Sequence, residues 1–195
     1  SYPMIITISG TPGSGKSTIA KILQQKLSAE RIYVGGIRRE LARKKGMTLE
    51  ELNVYAQTHP ETDVDVDKEA ASNARTLERR GRTVIVEGRT QYYFLPESIK
   101  IFIKVDEEEG TRRIWKDIQN EKTKKERNEG DITSLEQMKK RIQERTIEDV
   151  KRYQKYYHIN PYDESQYDFI LDTTKITAEE GVQKILIYLK TKKTL

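Results

Sequence analysis

Four residues at a fixed spacing carry the first chemistry in this chain: Gly10, Gly15, Lys16 and Ser17, within GTPGSGKST. The pattern G-x-x-x-x-G-K-[ST] lets backbone N–H groups converge on a phosphate at a helix N-terminus, where the dipole already favours an anion. The Lys16 ammonium can reach terminal phosphates, and the Ser17 hydroxyl can ligate Mg²⁺. A turn that merely starts a helix needs neither the lysine nor the spacing. Gly10, Thr11, Pro12, Gly13, Ser14, Gly15, Lys16, Ser17 and Thr18 are therefore expected to hold the phosphates of a nucleoside triphosphate. The loop is silent about the acceptor.

Transfer to a second nucleotide would gather negative charge between two phosphate chains, which guanidinium groups from separate segments can offset. Three segments supply them. Arg38 and Arg39 lie in GGIRREL, although Arg43, Lys44 and Lys45 follow in an ordinary basic run. Glu87, Gly88 and Arg89 end the run VIVEGR. Ligands of open α/β sheets lie at the carboxyl ends of strands, so these residues should face the glycine loop, with Glu87 orienting a Mg²⁺-bound water. Arg145, Asp149 and Arg152 share one helix face in QERTIEDVKRY. Taken alone they read equally well as a salt-bridge ladder of about 0.3–0.5 kcal/mol per pair.

The elements that must position these groups are legible as a pattern. Short apolar runs alternate with long charged stretches, which argues for βαβ units and a parallel sheet. Strands are expected at Met4–Ser9, Arg31–Val34, Thr83–Glu87, Lys100–Lys104 and Phe169–Asp172. Ile19, Ile22, Leu23 and Leu27 fall on one face of a helix after the glycine loop. Capping signatures open helices at Thr48–Glu51, Ser134–Gln137 and Thr177–Glu180; these are expected to be a short helix, one running to about Tyr157, and one ending near Lys190. Asp63–Arg80 reads as a further helix stopped by Gly81. The fold class is α/β: a three-layer sandwich with a five-stranded parallel sheet and helices on both faces.

Composition sets outer bounds. A chain of 195 residues suits one domain. It has no cysteine, which excludes disulfides and thiolate metal sites. No apolar run is long enough for a signal peptide or a membrane span, so a cytoplasmic location is expected. Residues 112–155 carry 14 basic and 9 acidic side chains, which accounts for the whole net charge of +5. Acids interrupt each basic cluster and few aromatics interleave, so a nucleic-acid patch is disfavoured. A solvated helical face or a movable arm meeting a small polyanion fits better.

At this point the chain resembles the cytidylate kinases of the short archaeal type, within the nucleoside monophosphate kinase superfamily. The resemblance runs through MIITISGTPGSGKSTIAKIL, GGIRRELARKKGMTLEELNVYA, VEGR, ERTIEDVKRYQKYY and YDFILDTT. It implies a single P-loop kinase domain with a core of residues 1–34, 78–112 and 146–195. Residues 35–77 would bind the monophosphate and residues 113–145 would form a lid. By position it implies that Gly13, Gly15, Lys16, Ser17 and Thr18 hold ATP and Mg²⁺. Arg39 and Arg89 would clamp the acceptor phosphate. Arg113 and Arg145 would close on the transferring phosphoryl group, and Asp149 and Arg152 would contact the acceptor nucleoside or tie the lid to it. The implied substrates are ATP and CMP or dCMP, with a monomer as the expected state and no nucleic-acid or membrane partner.

The chain departs from that family at Arg38, where an aromatic is usual, and at Thr90–Tyr93, where small or apolar residues are usual. Its segment Ile114–Ser134 is also longer. Cytosine offers an N4 donor with acceptors at N3 and O2. Asp63 and Asp67, one helical turn apart, are the candidates for the N4 acceptor, although an acidic first turn is also what a helix dipole favours. Asp168, ahead of the last strand, reads as a structural cap. His59 and His158 read as turn or packing residues. The rival functions are a kinase of the same fold acting on AMP, UMP or a small alcohol such as shikimate, a nucleotide-dependent nucleic-acid-binding protein, and a non-catalytic nucleotide switch.

Overall fold

A computed structural model describes residues 2–120 and 133–193. Five strands form one parallel sheet: β1 (Ile5–Gly10), β2 (Glu30–Tyr33), β3 (Val84–Glu87), β4 (Ile99–Lys104) and β5 (Phe169–Asp172). Their spatial order is β2-β3-β1-β4-β5. The strands lie within one residue of the expected bounds at each end. Alternation sets the two faces. Ile6 and Ile8 of β1 point with Ile101, Ile103 and Leu171 toward α1 (Lys16–Leu27) and the C-terminal helix (Ala178–Lys193). Ile5 points the other way, with Val84 and Val86, toward α4 (Glu61–Arg79).

The expected caps form. Thr48 Oγ accepts from Glu51 N and Glu51 Oε1 accepts from Thr48 N, both at 3.1 Å, opening α3 (Leu49–Ala56). Ser134 Oγ accepts from Gln137 N at 3.1 Å and opens the long helix α7 (Leu135–Tyr157). Thr177 Oγ accepts from Glu180 N at 3.1 Å and opens α8, the C-terminal helix, which runs to Lys193, three residues beyond expectation. Three helices go beyond the sequence reading. α2 (Val34–Lys44) starts directly on the last residue of β2 without a loop. α5 (Gln91–Phe94) is a single turn. α6 (Glu107–Ile118) is capped by Asp106, whose side chain accepts from Glu109 N at 2.8 Å.

The basic arm consists of α6 and α7, held together by Ile114, Ile118 and Met138 with Trp115 and Ile142 against them. Part of the segment Ile114–Ser134, residues 121–132, lies outside the described residues. Among the described residues no helix is long and apolar enough to cross a membrane.

Candidate active site

The glycine loop joins β1 to α1 at the carboxyl edge of the sheet. Gly13 and Gly15 have φ of +73° and +86°, a region that side chains with a Cβ rarely enter. Gly13 also packs on the backbone of Gly110, where a Cβ would sit 2.3 Å from the carbonyl oxygen. α1 has no side-chain cap and no acid in its first turn. A helix start of this kind, with no acid beside it, favours an anion.

A cavity of about 690 Å³ opens beside this loop. Its wall includes Pro12–Thr18 together with Arg31, Arg38, Arg39, Arg89, Arg113 and Arg145. The arginines from all three predicted segments therefore meet the phosphate loop in one space. Asp149 lies on the same wall, and Arg152 stands behind it, with Arg152 Nη2 donating to Asp149 Oδ1 at 3.1 Å.

Arg39 and Arg89, the two arginines expected to clamp the acceptor, are each held by a neighbouring side chain. Arg39 Nη1 donates to the Tyr33 hydroxyl, and its guanidinium stands 5.6 Å over the Tyr33 ring. Arg31 stacks on that ring at 4.7 Å. Gly35 and Gly36 make room for it, since a Cβ on either would come within 2.9 Å or 2.8 Å of the ring. Arg89 pairs with Asp149 at 3.4 Å, and that carboxylate stabilises the Arg89 cation well above the ordinary arginine range. Arg145 lines the cavity from α7. Arg113 is placed differently from a freely moving lid arginine. It donates to Thr173 O at 2.7 Å and Thr173 Oγ1 at 3.0 Å, and reaches Gly13 O and Ser14 O at 3.4 Å. Its guanidinium, which also pairs with Glu109 at 3.1 Å, thus joins the glycine loop to Thr173.

Glu87 is fully buried. Ser17 Oγ donates to Glu87 Oε2, and Arg31 Nη2 donates to Glu87 Oε1 at 2.7 Å. A hydroxyl and a carboxylate thus stand side by side beneath the phosphate loop. Both are hard oxygen donors, the set that Mg²⁺ takes when substrate phosphates and waters complete its shell.

Asp63 and Asp67 are placed differently from the base-reading role expected of them. Neither lies on the cavity wall. Asp63 Oδ1 accepts from Arg38 Nη1, and Asp63 Oδ2 accepts from Arg152 Nε at 2.7 Å. Both oxygens are thus committed to buried arginines. Asp67 Oδ2 accepts from Thr90 Oγ1 at 2.8 Å and from the Tyr157 hydroxyl at 2.9 Å, while Gln91 Nε2 donates to the Asp67 carbonyl at 3.1 Å. Thr90 and Gln91 therefore anchor α4 through Asp67. Asp168 behaves as a cap, accepting from Lys100 N at 2.8 Å. His59 stacks on Tyr55 at 3.7 Å, and His158 ends α7 at φ 58°.

Burial pushes the Asp67 carboxyl up to about 6, against the two hydrogen bonds that favour its charged form. A carboxyl raised on folding binds its proton more tightly in the folded state, so its cost to stability grows as pH rises from about 4 to about 6 and persists above. Asp67→Asn should therefore gain on the parent by about 1 kcal/mol between pH 5 and pH 7.5. Urea midpoints at the two pH values check this, and a constant difference would refute it.

Arg31, Tyr33 and Asn53 line the cavity and were missed in the sequence. Asn53 carried a usable signal, because it interrupts the apolar positions Leu49, Leu52 and Ala56 of a short helix.

The chain is similar to known proteins in sequence and in fold. A family model described as an AAA domain matches residues 6–134. The cytidylate kinase of Archaeoglobus fulgidus is 36% identical over 191 residues, covering 97% of each chain. That of Methanopyrus kandleri is 33% identical over 186 residues, covering 92% of this chain and 90% of its own. In fold, the chain is similar to shikimate kinase from Bacteroides thetaiotaomicron, with a TM-score of 0.57 at 16% identity, covering 96% of this chain and 98% of that one.

Proposed function

The chain belongs to the cytidylate kinase family, and from that premise we propose that it phosphorylates CMP or dCMP with ATP to give ADP and CDP or dCDP. The observation that carries this reading is a single cavity walled by the phosphate loop and by arginines from separate segments. A site that only bound or hydrolysed ATP would have no use for Arg39 and Arg89 held ready by Tyr33 and Asp149.

The reaction is a direct in-line transfer. An anionic oxygen of the acceptor phosphate forms a bond to the γ-phosphorus as the bond to the β-bridging oxygen breaks. No general base is needed, because the attacking oxygen carries no proton to remove. Catalysis is then positioning and charge neutralisation. Lys16 and the N-terminus of α1 hold the donor phosphates. Arg39 and Arg89 hold the acceptor phosphate. Arg145 approaches from α7, and the arm that carries it excludes water and so suppresses hydrolysis. Arg113 keeps the glycine loop in shape. Asp149 and Arg152 join the clamp to the acceptor side. Mg²⁺ bound with ATP supplies further charge neutralisation, and Ser17, with Glu87 through water, would hold it. A monomer working in the cytoplasm suits this reading, since the arm and the segment 35–77 must move against the core.

The test is a coupled ADP-release assay with ATP·Mg²⁺ against CMP, dCMP, UMP, AMP and shikimate. Turnover confined to CMP or dCMP supports the reading. Preference for another acceptor leaves the clamp intact and sinks the cytosine assignment. In the same assay Arg145→Ala should lower kcat about 100-fold while the KM for ATP changes less than about threefold, as for a group that acts mainly in the transition state. A kcat within twofold of the parent would end the lid role for Arg145.

A further inference from the structure

We infer that Asn53 reads the acceptor base, donating from its amide nitrogen to the 2-carbonyl that cytosine and uracil share; the inference rests on the CMP reading above. Charge alone determines the direction of a chain of contacts behind Asn53. A carboxylate only accepts and a guanidinium only donates. Arg152 and Arg38 both donate to Asp63, at opposite oxygens. Arg38 Nη2 then donates to Asn53 Oδ1 at 2.7 Å. An amide beside a guanidinium must turn its oxygen inward, so the orientation of Asn53 follows from chemistry. Its Nδ2 hydrogens are left as its remaining polar function, and among the described residues no partner takes them. Asn53 lies on the wall of the cavity.

The surroundings select the ligand atom. Leu49, one turn earlier on the same face of α3, lines the cavity, as does Ile142 of α7. Arg141 of α7 pairs with Glu50 of α3 at 2.9 Å and holds the two helices together. A pair of donor hydrogens flanked by aliphatic side chains suits the edge of a flat base, whose carbonyl only accepts. It suits a ribose hydroxyl less well, because that group must also donate. Cytosine and uracil both carry the 2-carbonyl, and adenine carries none. Arg38 is thus the positioning residue and Asn53 the specificity-determining one. The contact separates pyrimidine from adenine but does not separate cytosine from uracil.

Asn53→Asp tests this with little change in size. It keeps an acceptor for Arg38, removes both donor hydrogens and turns an oxygen toward the cavity. Binding of CMP, dCMP, UMP and AMP is measured by calorimetry, with kcat for CMP alongside. CMP, dCMP and UMP should each weaken by about 100-fold and AMP by less than about fivefold, because a buried group left facing an acceptor rejects it strongly. Asn53→Ser, which also leaves Arg38 an acceptor, should lower the preference for CMP over AMP in the same direction. Equal weakening of CMP and AMP, as a pure charge effect would give, overturns the inference. So does an unchanged affinity for CMP, or weakening of CMP but not dCMP, which would assign the donor to the ribose. Failure of the CMP reading itself would be visible in the unsubstituted protein as preference for another acceptor.

Discussion

Lys16→Ala should lower turnover with CMP by about 1,000-fold while leaving the protein folded. The first turn of α1 has no acid and no side-chain cap, so the phosphates meet helix N–H groups and one ammonium in a site shaped for anions. Charge moves toward the β-bridging oxygen as the γ-phosphorus leaves it, and a preorganised cation there is worth most in the transition state. Helix α1 itself is anchored by Ile19, Ala20 and Leu23, all buried in the core, so its stability does not depend on the lysine. The measurement is kcat in the coupled assay together with thermal unfolding. A tenfold loss or less with an unchanged Tm would mean that the glycine loop binds phosphate without driving its transfer.

Asp63→Ala should cost about 3–5 kcal/mol of stability, an effect as large in its own domain. Asp63 is 2% exposed, and its two oxygens serve Arg38 and Arg152, which are 7% and 3% exposed. Truncating the carboxylate leaves two guanidinium groups short of a counter-charge inside the protein, and breaking a buried pair costs that much. Against a total of roughly 5–15 kcal/mol for a typical domain, the variant should be partly unfolded near 37 °C. Urea unfolding with an unchanged slope measures the loss. Asp63→Asn retains one acceptor and should lose less. A loss under 1 kcal/mol for Asp63→Ala would show that Asp149, already bonded to Arg152 at 3.1 Å, suffices for the cluster.

These effects depend on different kinds of information. The glycine loop was legible because its requirements are local: left-handed φ at Gly13 and Gly15, N–H groups at a helix start, and a lysine within reach. The strands were legible because alternation along a few residues sorts side chains to two faces, and the caps because Thr48, Ser134 and Thr177 bond N–H groups three residues away. α6 escaped because its cap is Asp106, whose side chain accepts from Glu109 N, and the acids Glu107–Glu109 of its first turn carry no apolar periodicity. α2 escaped because it begins with no loop between it and β2, and two glycines argue against a helix until the Tyr33 ring that needs them is in place.

The sequence by itself determined the sheet, the phosphate site and the arginines available to it, since periodicity and short-range hydrogen bonding are properties of neighbouring residues. Only the tertiary structure decided how those charges are spent. Asp63 meets Arg38 across 25 positions and Arg152 across 89, and Asp67 meets Tyr157 across 90. Such pairs form because α2, α4 and α7 pack together, and burial then obliges each charge to find a partner. That obligation drew Asp63 and Asp67 off the cavity wall, while Arg38 holds the amide oxygen of Asn53, and Arg113, expected to close on the transferring phosphoryl group, donates to Thr173 O.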